Sequence, residues 1–297
     1  MVNNHRYREA LYVLGGSILA AITIIKVLNN NVVMAEHPVE GEAIVIGKGI
    51  GFNRKPDELL SLDQAEKLFV VKNEKEQEQY KKLLPKINEA WQSAIIEAIG
   101  HVSDRVQGQL NEHIHIALTD HLLLTMDRVQ NGHIISNPFL TETVTLYPFE
   151  QELAKEAVEI IGEKTGIYLP KDEVGFITLH IHSALMNKDL GEVNRHSQLV
   201  TKLIQIIERE LKLVLDKEGL DYMRLVRHLR FTIERVVQGE KVEEPEKIAK
   251  LLKYEYPVCY NLAWKLIKIM QEYLKKNVYE AEAVYLTMHL QRLQKNK

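Results

Sequence analysis

The sequence has a single cysteine and no marked excess of either charge, and each deficit excludes a class of protein. One cysteine, Cys259, cannot form an intramolecular disulfide, so a disulfide-stabilised secreted scaffold is excluded and the reducing cytoplasm is predicted. Cys259 lies in an apolar helical context, which predicts core packing. The formal net charge is only −3, so no global basic field indicates a nucleic-acid partner.

Long hydrophobic runs are also lacking. The uncharged run Leu11–Ile25 has 15 residues, whereas a membrane-spanning helix needs about 20. The run has some likeness to a signal-peptide core, but cleavage or insertion there would destroy the first predicted strand. We therefore predict no membrane association and interpret residues 1–22 as an extension before the first domain.

Motifs for catalysis are missing as well. The sequence contains no phosphate-binding loop, nucleophile elbow or metal-ligand motif. This predicts a protein that is not an enzyme and that needs no cofactor or metal. The alternative, a phosphoryl-relay component or histidine-dependent hydrolase, would require turnover of phosphate onto water or a small molecule.

What the sequence does contain begins with the pattern of a small antiparallel sheet in Ile24–Asp57. The apolar runs Ile24–Leu28 and Ala43–Ile46 are short, rich in β-branched residues and bounded by Asn, Gly and Pro. Leu68–Val71 predicts a last short strand. The charged segment Lys72–Gln79 then predicts a linker into a helical region.

From Tyr80 onward, apolar residues recur at three- and four-residue spacing, which predicts amphipathic helices. Glycine, proline and asparagine punctuate this pattern and predict where the helices end. The predicted breaks are Asn131-Gly132, Asn137-Pro138, Tyr147-Pro148, Gly166, Leu169-Pro170, Gly219, Gly239, Pro245 and Tyr256-Pro257.

The helical region repeats itself. Leu118–Gly132 aligns with Leu225–Gly239 at an offset of 107, and 7 of 15 positions are identical. Tyr147–His180 aligns with Tyr256–His289 at an offset of 109 without a gap. This period is too long for a solenoid. It predicts a first copy (74–188) and a second copy (197–297) of one helical domain, joined by Asn187–Ser197.

Two histidines occupy equivalent positions in both copies. The pairs are His121 with His228 and His180 with His289. A lone histidine on a helix is usually a core residue, but retention in both copies weakens that reading. Metal binding is one alternative, since imidazole is a good ligand and the matched carboxylates Glu173 and Glu282 lie seven residues upstream.

Phosphorylation explains the matched histidines better. Imidazole is nucleophilic near neutral pH and accepts a phosphoryl group by in-line transfer, which requires positioning more than covalent help. A phosphate adds nearly two negative charges and can reorganise a helix interface. Arg128 and Arg235 follow their histidines by seven residues and are either phosphate partners or surface charges. We interpret the neighbouring His113, His115 and His182 as structural or incidental.

Two groups of motifs resemble the BglG/SacY family of antiterminators, and within it the glucose-operon branch. Lys26–Val33 and Gly47–Phe52 resemble its RNA-binding co-antiterminator domain. The histidine motifs resemble its phosphotransferase-system regulation domain and comprise Leu118–His121, Gly175–His180, Val226–His228 and Tyr285–His289. The likeness covers about residues 24–295. The second copy departs from the motifs at Arg227 and at Tyr285-Leu286.

The resemblance implies an α+β multidomain fold. A small antiparallel β RNA-binding domain (23–73) would precede two homologous all-α regulation domains. The implied RNA-binding residues are Lys26, Asn29, Asn30, Asn31, Gly47, Lys48, Gly49 and Phe52. Polar side chains, exposed backbone and an aromatic ring can read RNA with little net charge. The Asn triplet is alternatively a plain turn, and Phe52 alternatively a core residue.

The resemblance also implies a function and its partners. A homodimer would bind a hairpin in nascent leader mRNA of a sugar phosphotransferase operon, with glucose favoured, and prevent terminator formation. The sugar permease (enzyme II) and the phosphocarrier HPr would phosphorylate His121, His180, His228 and His289. The alternatives are an antiterminator of a different sugar operon and a DNA-binding activator with the same regulatory domains, which would need a helix-turn-helix region.

Overall fold

The computed structural model describes residues 21–38, 41–65, 67–70, 78–79, 82–83, 87–107, 110–111, 113–240 and 245–295. The predicted extension and most of the predicted linker Lys72–Gln79 lie outside these residues. The described residues form two compact units. The first unit contains those up to His133 together with Glu156–Leu169, and the second contains Ile134–Lys155 and those from Pro170 onward. The predicted domain boundaries stay predictions.

The described residues contain five strands and ten α-helices. The strands are β1 (Ala21–Asn29), β2 (Val32–His37), β3 (Gly41–Ile46), β4 (Leu59–Ser61) and β5 (Lys67–Val70). The helices are α1 (Glu89–Arg105), α2 (His113–Gln130), α3 (Leu140–Leu146), α4 (Pro148–Thr165), α5 (Lys171–Met186), α6 (Leu190–Leu211), α7 (Leu220–Gln238), α8 (Glu246–Glu255), α9 (Pro257–Leu274) and α10 (Ala281–Lys295). The predicted fold class, a small antiparallel sheet followed by helices, is confirmed.

The strands form one antiparallel sheet in the order β4-β1-β2-β3-β5. The predicted apolar runs lie in β1, β3 and β5, whereas β2 and β4 have no counterpart among the predicted strands. β1 begins at Ala21, within the stretch interpreted as an extension. Ala21 and Ile22 pair with Ser61 and Leu60, and Ile22 is buried, so these two residues belong to the sheet.

Both faces of the sheet are buried within the first unit. One face presents Ile24, Val33 and Val45, which pack with Ile50 of the following turn. The other face presents Val32, Met34, Ile44 and Ile46, which pack against Ile96 of α1 and Ile116 of α2. Because successive strand residues point to opposite faces, a sheet covered on both sides reads as continuous apolar runs. Helices of the same chain therefore supply the second hydrophobic layer.

The predicted helix breaks agree with the observed helix ends. Gly132 and Gly239 follow α2 and α7 with φ angles of 73° and 75°, a left-handed conformation that glycine adopts without a Cβ clash. Pro148 and Pro257 begin α4 and α9, where the missing N–H would have had no partner within the helix.

The connection between the copies is shorter than predicted. α5 ends at Met186, and the residue that caps it, Asn187, has a left-handed φ of 50°. α6 already begins at Leu190, because the Asp189 side chain caps it by accepting a 3.0 Å hydrogen bond from the backbone N–H of Glu192. The predicted link Asn187–Ser197 is therefore mostly helix. Gly191, the glycine of this link, lies in the first turn of α6 and so did not mark the boundary between the helices.

The main core of the second unit is formed by α6, α7, α9 and α10. Tyr222, Leu225 and Leu229 from α7 are fully buried in it. Each such side chain contributes about 1.5–3 kcal/mol relative to an exposed one. Cys259 is also buried in this core, as predicted, and its thiol donates to Gln294 Oε1 at 3.3 Å.

Candidate nucleic-acid interface and phosphorylation sites

The Asn triplet forms the turn between β1 and β2. Asn30 and Asn31 occupy the turn itself, and Asn29 Oδ1 accepts a 2.8 Å hydrogen bond from the Asn31 backbone N–H. Asn31 Oδ1 in turn accepts from the N–H of Gly49 at 2.8 Å. The turn reading of the triplet is thus correct, and the turn is also tied to the glycine-rich segment. We call Asn29–Asn31 together with Gly47–Gly51 the Asn–Gly cluster.

Glycines allow the two parts of this cluster to approach closely. The N–H groups of Gly47 and Gly51 donate to the backbone oxygens of Asn31 and Asn30 at 3.1 and 2.9 Å. A Cβ at Gly51 would lie 2.1 Å from the backbone oxygen of Asn29. A Cβ at Gly47 would lie 2.4 Å from the backbone oxygen of Gln64, which lies outside the cluster. Any side chain at these two positions would force the backbones apart.

The remaining predicted RNA-binding residues lie at the surface. Phe52 is 61% exposed, while the buried apolar position of this segment belongs to Ile50. The interpretation of Phe52 as a core residue is therefore wrong. Lys48 is exposed within the cluster, and Lys26 is exposed three residues before it on β1.

Helix α1 borders the Asn–Gly cluster. Asn31, Gly47 and Lys48 line one surface pocket together with Ser93 and Glu97 of α1. Sequence reasoning missed these helix residues. The spacing along the chain gives no signal for them, because the packing of α1 on the sheet brings them there.

In the first copy, a threonine connects the predicted histidine to the arginine on α2. Thr125 Oγ1 lies 3.4 Å from His121 Nε2, and Arg128 Nη2 donates to the same hydroxyl oxygen at 2.9 Å. These residues are four and three positions apart, which places them along one helix face. His121 belongs to the first unit, and His180, which is buried on α5, belongs to the second.

The second copy repeats this arrangement on α7. Thr232 Oγ1 lies 3.5 Å from His228 Nε2 and accepts from Arg235 Nη2 at 3.4 Å. The ring of His228 stacks on that of His289 from α10, with centroids 4.7 Å apart and an interplanar angle of 28°. The structure therefore brings the two predicted histidines of the second copy together.

Glu282, one of the two matched carboxylates, completes the site in the second copy. Its side chain is only 1% exposed. Arg235 Nη2 donates to its two oxygens at 2.7 and 3.0 Å, and Thr232 donates to Oε2 at 2.8 Å. Glu282 Oε2 also lies 3.7 Å from His228 Nε2. The carboxylate is thus engaged by an arginine and a hydroxyl, which does not favour its use as a metal ligand.

The surroundings keep the stacked histidines neutral. Burial, the neighbouring His289 and the Arg235 charge lower the pKa of His228 to about 3. Burial, followed by the charges of Arg292 and Arg224, also lowers the pKa of His289. A neutral imidazole carries a lone pair on one nitrogen and is a nucleophile at physiological pH.

His182, interpreted as incidental from the sequence, is buried in an ion-pair network of the second unit. Its Nδ1 lies 2.9 Å from Glu150 Oε1 of α4, and its Nε2 lies 3.2 Å from Arg230 Nη2 of α7. Arg230 also pairs with Glu234 at 2.9 Å, and Glu234 with Lys188 at 3.2 Å. We call these residues the junction network. The interpretation of His182 is corrected, because its neighbours come from distant parts of the chain.

The hydrogen bond from Arg230 defines the tautomer of His182. A guanidinium can only donate, so His182 Nε2 accepts from Arg230 and its Nδ1–H donates to Glu150. The ring of Tyr147 packs 4.0 Å from that of His182 and 5.3 Å from the Arg230 guanidinium carbon. Burial raises the pKa of Tyr147 to about 12. The network therefore pairs a buried arginine with carboxylates, an imidazole and an aromatic face.

Two kinds of feature are absent from the described residues. They contain no group of three or more His, Cys, Asp or Glu side chains arranged to hold a metal ion. None of the helices in the described part of the chain has the length and apolar character needed to cross a membrane.

Family models match most of the chain. Residues 22–78 match the CAT RNA binding domain, and residues 96–184 and 201–293 each match the PRD domain. The first match contains the Asn–Gly cluster. The second and third contain the His–Thr–Arg arrangements of α2 and α7.

Individual proteins match along nearly their whole length. The PtsGHI operon antiterminator of Bacillus subtilis (strain 168) is 53% identical over 273 residues, covering 92% of this chain and 97% of the relative. Protein GlcT of Staphylococcus saprophyticus is 36% identical, with the same two coverages. The GlcA/glcB genes antiterminator of Staphylococcus carnosus is 37% identical and covers 89% of this chain and 93% of the relative.

A solved structure supports the same assignment. The crystal structure of GlcT CAT-PRDI has a TM-score of 0.52 and 50% sequence identity, and covers 56% of this chain and 99% of its own. One RNA-binding domain, two PRD domains and full-length relatives agree with the family predicted from the motifs. The chain therefore belongs to the BglG/SacY family of PRD-containing transcription antiterminators.

Proposed function

We propose that this chain binds a hairpin in the nascent leader mRNA of a glucose phosphotransferase operon and prevents formation of the overlapping terminator. The choice of operon rests on the relatives, which are named for the ptsGHI operon and for the GlcA and GlcB genes. An antiterminator of a different sugar operon is the alternative. A DNA-binding activator is not favoured, because the described residues of the N-terminal region form a sheet rather than a helix-turn-helix.

The observation that supports RNA binding best is the Asn–Gly cluster with Phe52 beside it. The cluster presents exposed backbone and amide groups on a turn held by four short hydrogen bonds. Phe52 offers an aromatic face on which an unpaired base can stack, and Lys48 and Lys26 add positive charge. This combination suits recognition of splayed bases by stacking and polar contacts, without a strongly basic surface.

Phosphorylation by phosphotransferase proteins would control this binding. The sugar permease would phosphorylate His121 and His180 in the absence of sugar and inactivate the protein, and HPr would phosphorylate His228 and His289. The neutral, stacked state of His228 and His289 supports their role as phosphoryl acceptors. The protein would act in the cytoplasm as a regulator, without cofactor and without turnover of a substrate.

Homodimerisation would present two RNA-binding domains to one hairpin. Equivalent positions of the two copies support self-association: Leu124 and Phe231, each three residues after its histidine, are 59% and 56% exposed. Large aromatic and aliphatic side chains can serve as the anchors of a protein–protein interface. Placed next to the histidines, they would couple the charge on the imidazoles to assembly.

A gel-shift titration of the full chain with leader RNA tests RNA binding. The full chain is preferable to the sheet alone, because α1 and α2 cover one sheet face. We expect Phe52→Ala to lower the affinity about 5- to 150-fold, since base stacking on an aromatic ring contributes about 1–3 kcal/mol. Val214→Ala, at a 92% exposed position of the second unit, is the control and should bind normally. Absence of binding by the unaltered chain would refute the proposal.

A leader–reporter fusion tests control by the first copy. We expect the double variant His121→Ala and His180→Ala to keep expression on without sugar, because neither inactivating phosphate can be added. Repression that persists in this variant would contradict control by the first copy while leaving RNA binding intact.

A further inference from the structure

The contacts of His228 Nε2 bear on which ring nitrogen can accept a phosphoryl group. Nε2 faces two oxygen atoms, Thr232 Oγ1 at 3.5 Å and Glu282 Oε2 at 3.7 Å. The ring as a whole is held by its stacking on His289. If these two oxygens are hydrogen-bond acceptors, Nε2 carries the hydrogen and the other nitrogen accepts the phosphoryl group. If they are donors, Nε2 carries the lone pair.

The hydrogen bonds around Glu282 decide this question. Thr232 uses its only hydroxyl hydrogen to donate to Glu282 Oε2 at 2.8 Å. Arg235 can only donate, and it donates to Glu282 and to Thr232 Oγ1. Both oxygens that face Nε2 are consequently acceptors. A lone pair on Nε2 would point at a carboxylate, whereas an N–H there would be matched.

A neutral imidazole has one N–H and one lone pair. With the hydrogen on Nε2, the lone pair lies on Nδ1, which is the nucleophilic atom. The low pKa of His228 agrees with a neutral ring. Phosphorylation at Nε2 would instead place phosphate oxygens against Glu282, a carboxylate whose side chain is 1% exposed, and would break its bonds to Thr232 and Arg235.

We infer that His228 accepts its phosphoryl group on Nδ1, and that Glu282 is a positioning residue that holds the ring, together with Thr232, in the Nε2–H tautomer. This inference rests on the proposed function in one respect, that His228 is phosphorylated. Glu282 acts through the imidazole and does not touch the phosphoryl group. Its role is comparable to that of the carboxylate that orients the histidine in a serine-protease triad.

A protein that carries a phosphohistidine can serve as the phosphoryl donor to His228. The Nδ1 lone pair of His228 attacks phosphorus, and a new N–P bond forms as the P–N bond of the donor breaks. The bonding electron pair returns to the donor ring nitrogen. The proton on His228 Nε2 stays in place, with Glu282 Oε2 3.7 Å away as its acceptor.

Nitrogen-15 NMR of the full chain tests the tautomer without any phosphorylation. Long-range proton–nitrogen correlations distinguish Nε2–H from Nδ1–H imidazoles, and His228→Gln assigns the signal. We expect the Nε2–H tautomer for His228. An Nδ1–H signal would overturn the inference and leave the proposed function untouched.

Variants of Glu282 test the positioning role. We expect Glu282→Gln to shift His228 toward a mixture of tautomers and to slow its phosphorylation about tenfold or more, and Glu282→Asp to restore both in part. Glu280→Gln, at an exposed position two residues upstream, is the matched control and should change neither. An unchanged His228 tautomer in a folded Glu282→Gln protein would overturn the inference.

Phosphorylation with phosphorylated HPr separates this inference from the proposed function. We expect Nδ1-phosphohistidine at position 228, identified by its nitrogen and phosphorus shifts. Nε2-phosphohistidine would overturn the inference and support the proposed function. Absence of phosphate from His228 with every donor protein tested would overturn both.

Discussion

The two helical copies differ in charge at three residues of the junction network. The network residues Glu150, His182 and Arg230 have as their repeat equivalents Cys259, Gln291 and Leu123. A carboxylate, an imidazole and a guanidinium thus correspond to side chains that carry no charge. The network is a feature of the contact between the copies within the second unit, and it does not belong to the repeat itself.

The histidine sites, by contrast, are nearly the same in both copies. The shared residues are His121, Thr125 and Arg128 on α2 and His228, Thr232 and Arg235 on α7. In both copies the threonine hydroxyl lies between imidazole Nε2 and the guanidinium. The copies therefore agree where phosphoryl chemistry is proposed and diverge where they contact each other.

The largest difference between the copies is expected at one pair of equivalent carboxylates. Glu234→Ala removes a carboxylate partner from Arg230, whose side chain is only 7% exposed, and should lower the free energy of unfolding by about 3 kcal/mol. Its equivalent Asp127 is exposed, so Asp127→Ala should change it by less than about 0.5 kcal/mol. Urea denaturation measures both. If Glu234→Ala lowered the free energy of unfolding as little as Asp127→Ala, the network would not stabilise the protein.

A smaller effect is expected from pH in the second copy. The pKa of His228 is lowered to about 3 in the folded protein, whereas an unfolded histidine titrates near 6.5. Between these values the unfolded state binds a proton that the folded state does not, so stability falls as the pH falls below about 6.5, by up to about 1.4 kcal/mol per pH unit.

The variant His228→Gln tests whether His228 causes this pH dependence of stability. His228→Gln should reduce the slope of unfolding free energy against pH between pH 6 and 5, measured by urea denaturation. Met288→Gln, at a partly exposed position beside His289 that does not titrate, is the control and should retain the slope. The same slope in His228→Gln would mean that other groups cause the pH dependence.

The smallest effect is expected where the copies agree. Thr125→Val and Thr232→Val keep the side-chain shape and remove the hydroxyl that accepts from arginine. Each should lower the unfolding free energy by about 1 kcal/mol, because each hydroxyl accepts a hydrogen bond from an arginine. Thermal denaturation measures both losses. No loss in either variant would contradict a stabilising role of the hydroxyl.

Features that depend on local pattern could be predicted from the sequence. Proline and glycine fixed the helix ends at Pro148, Pro257 and Gly239, since each of these residues restricts or permits particular backbone angles. Spacing within the repeat identified the equivalent histidines. The short strand β4 could not be predicted, because its three residues form a strand only by pairing with β1.

Features that depend on distant neighbours could not be predicted. Glu150, His182 and Arg230 each look like ordinary helix residues, and only the folding of α4, α5 and α7 against one another buries them together. Phe52 is similar: nothing in the local sequence says that Ile50 fills the core and leaves the aromatic ring outside.

The buried bond between Arg230 and His182 has a practical implication for dissecting this protein. A fragment that starts at the second helical copy would keep the pair of Arg230 with Glu234 but would lose the contacts of this guanidinium with His182 and with the Tyr147 ring. The melting temperature of this fragment and its reactivity toward phosphate donors would then differ from those of the full chain. Cutting after Leu169 keeps α5 with α7 and so retains the bond between His182 and Arg230, although it still separates His182 from Glu150 of α4.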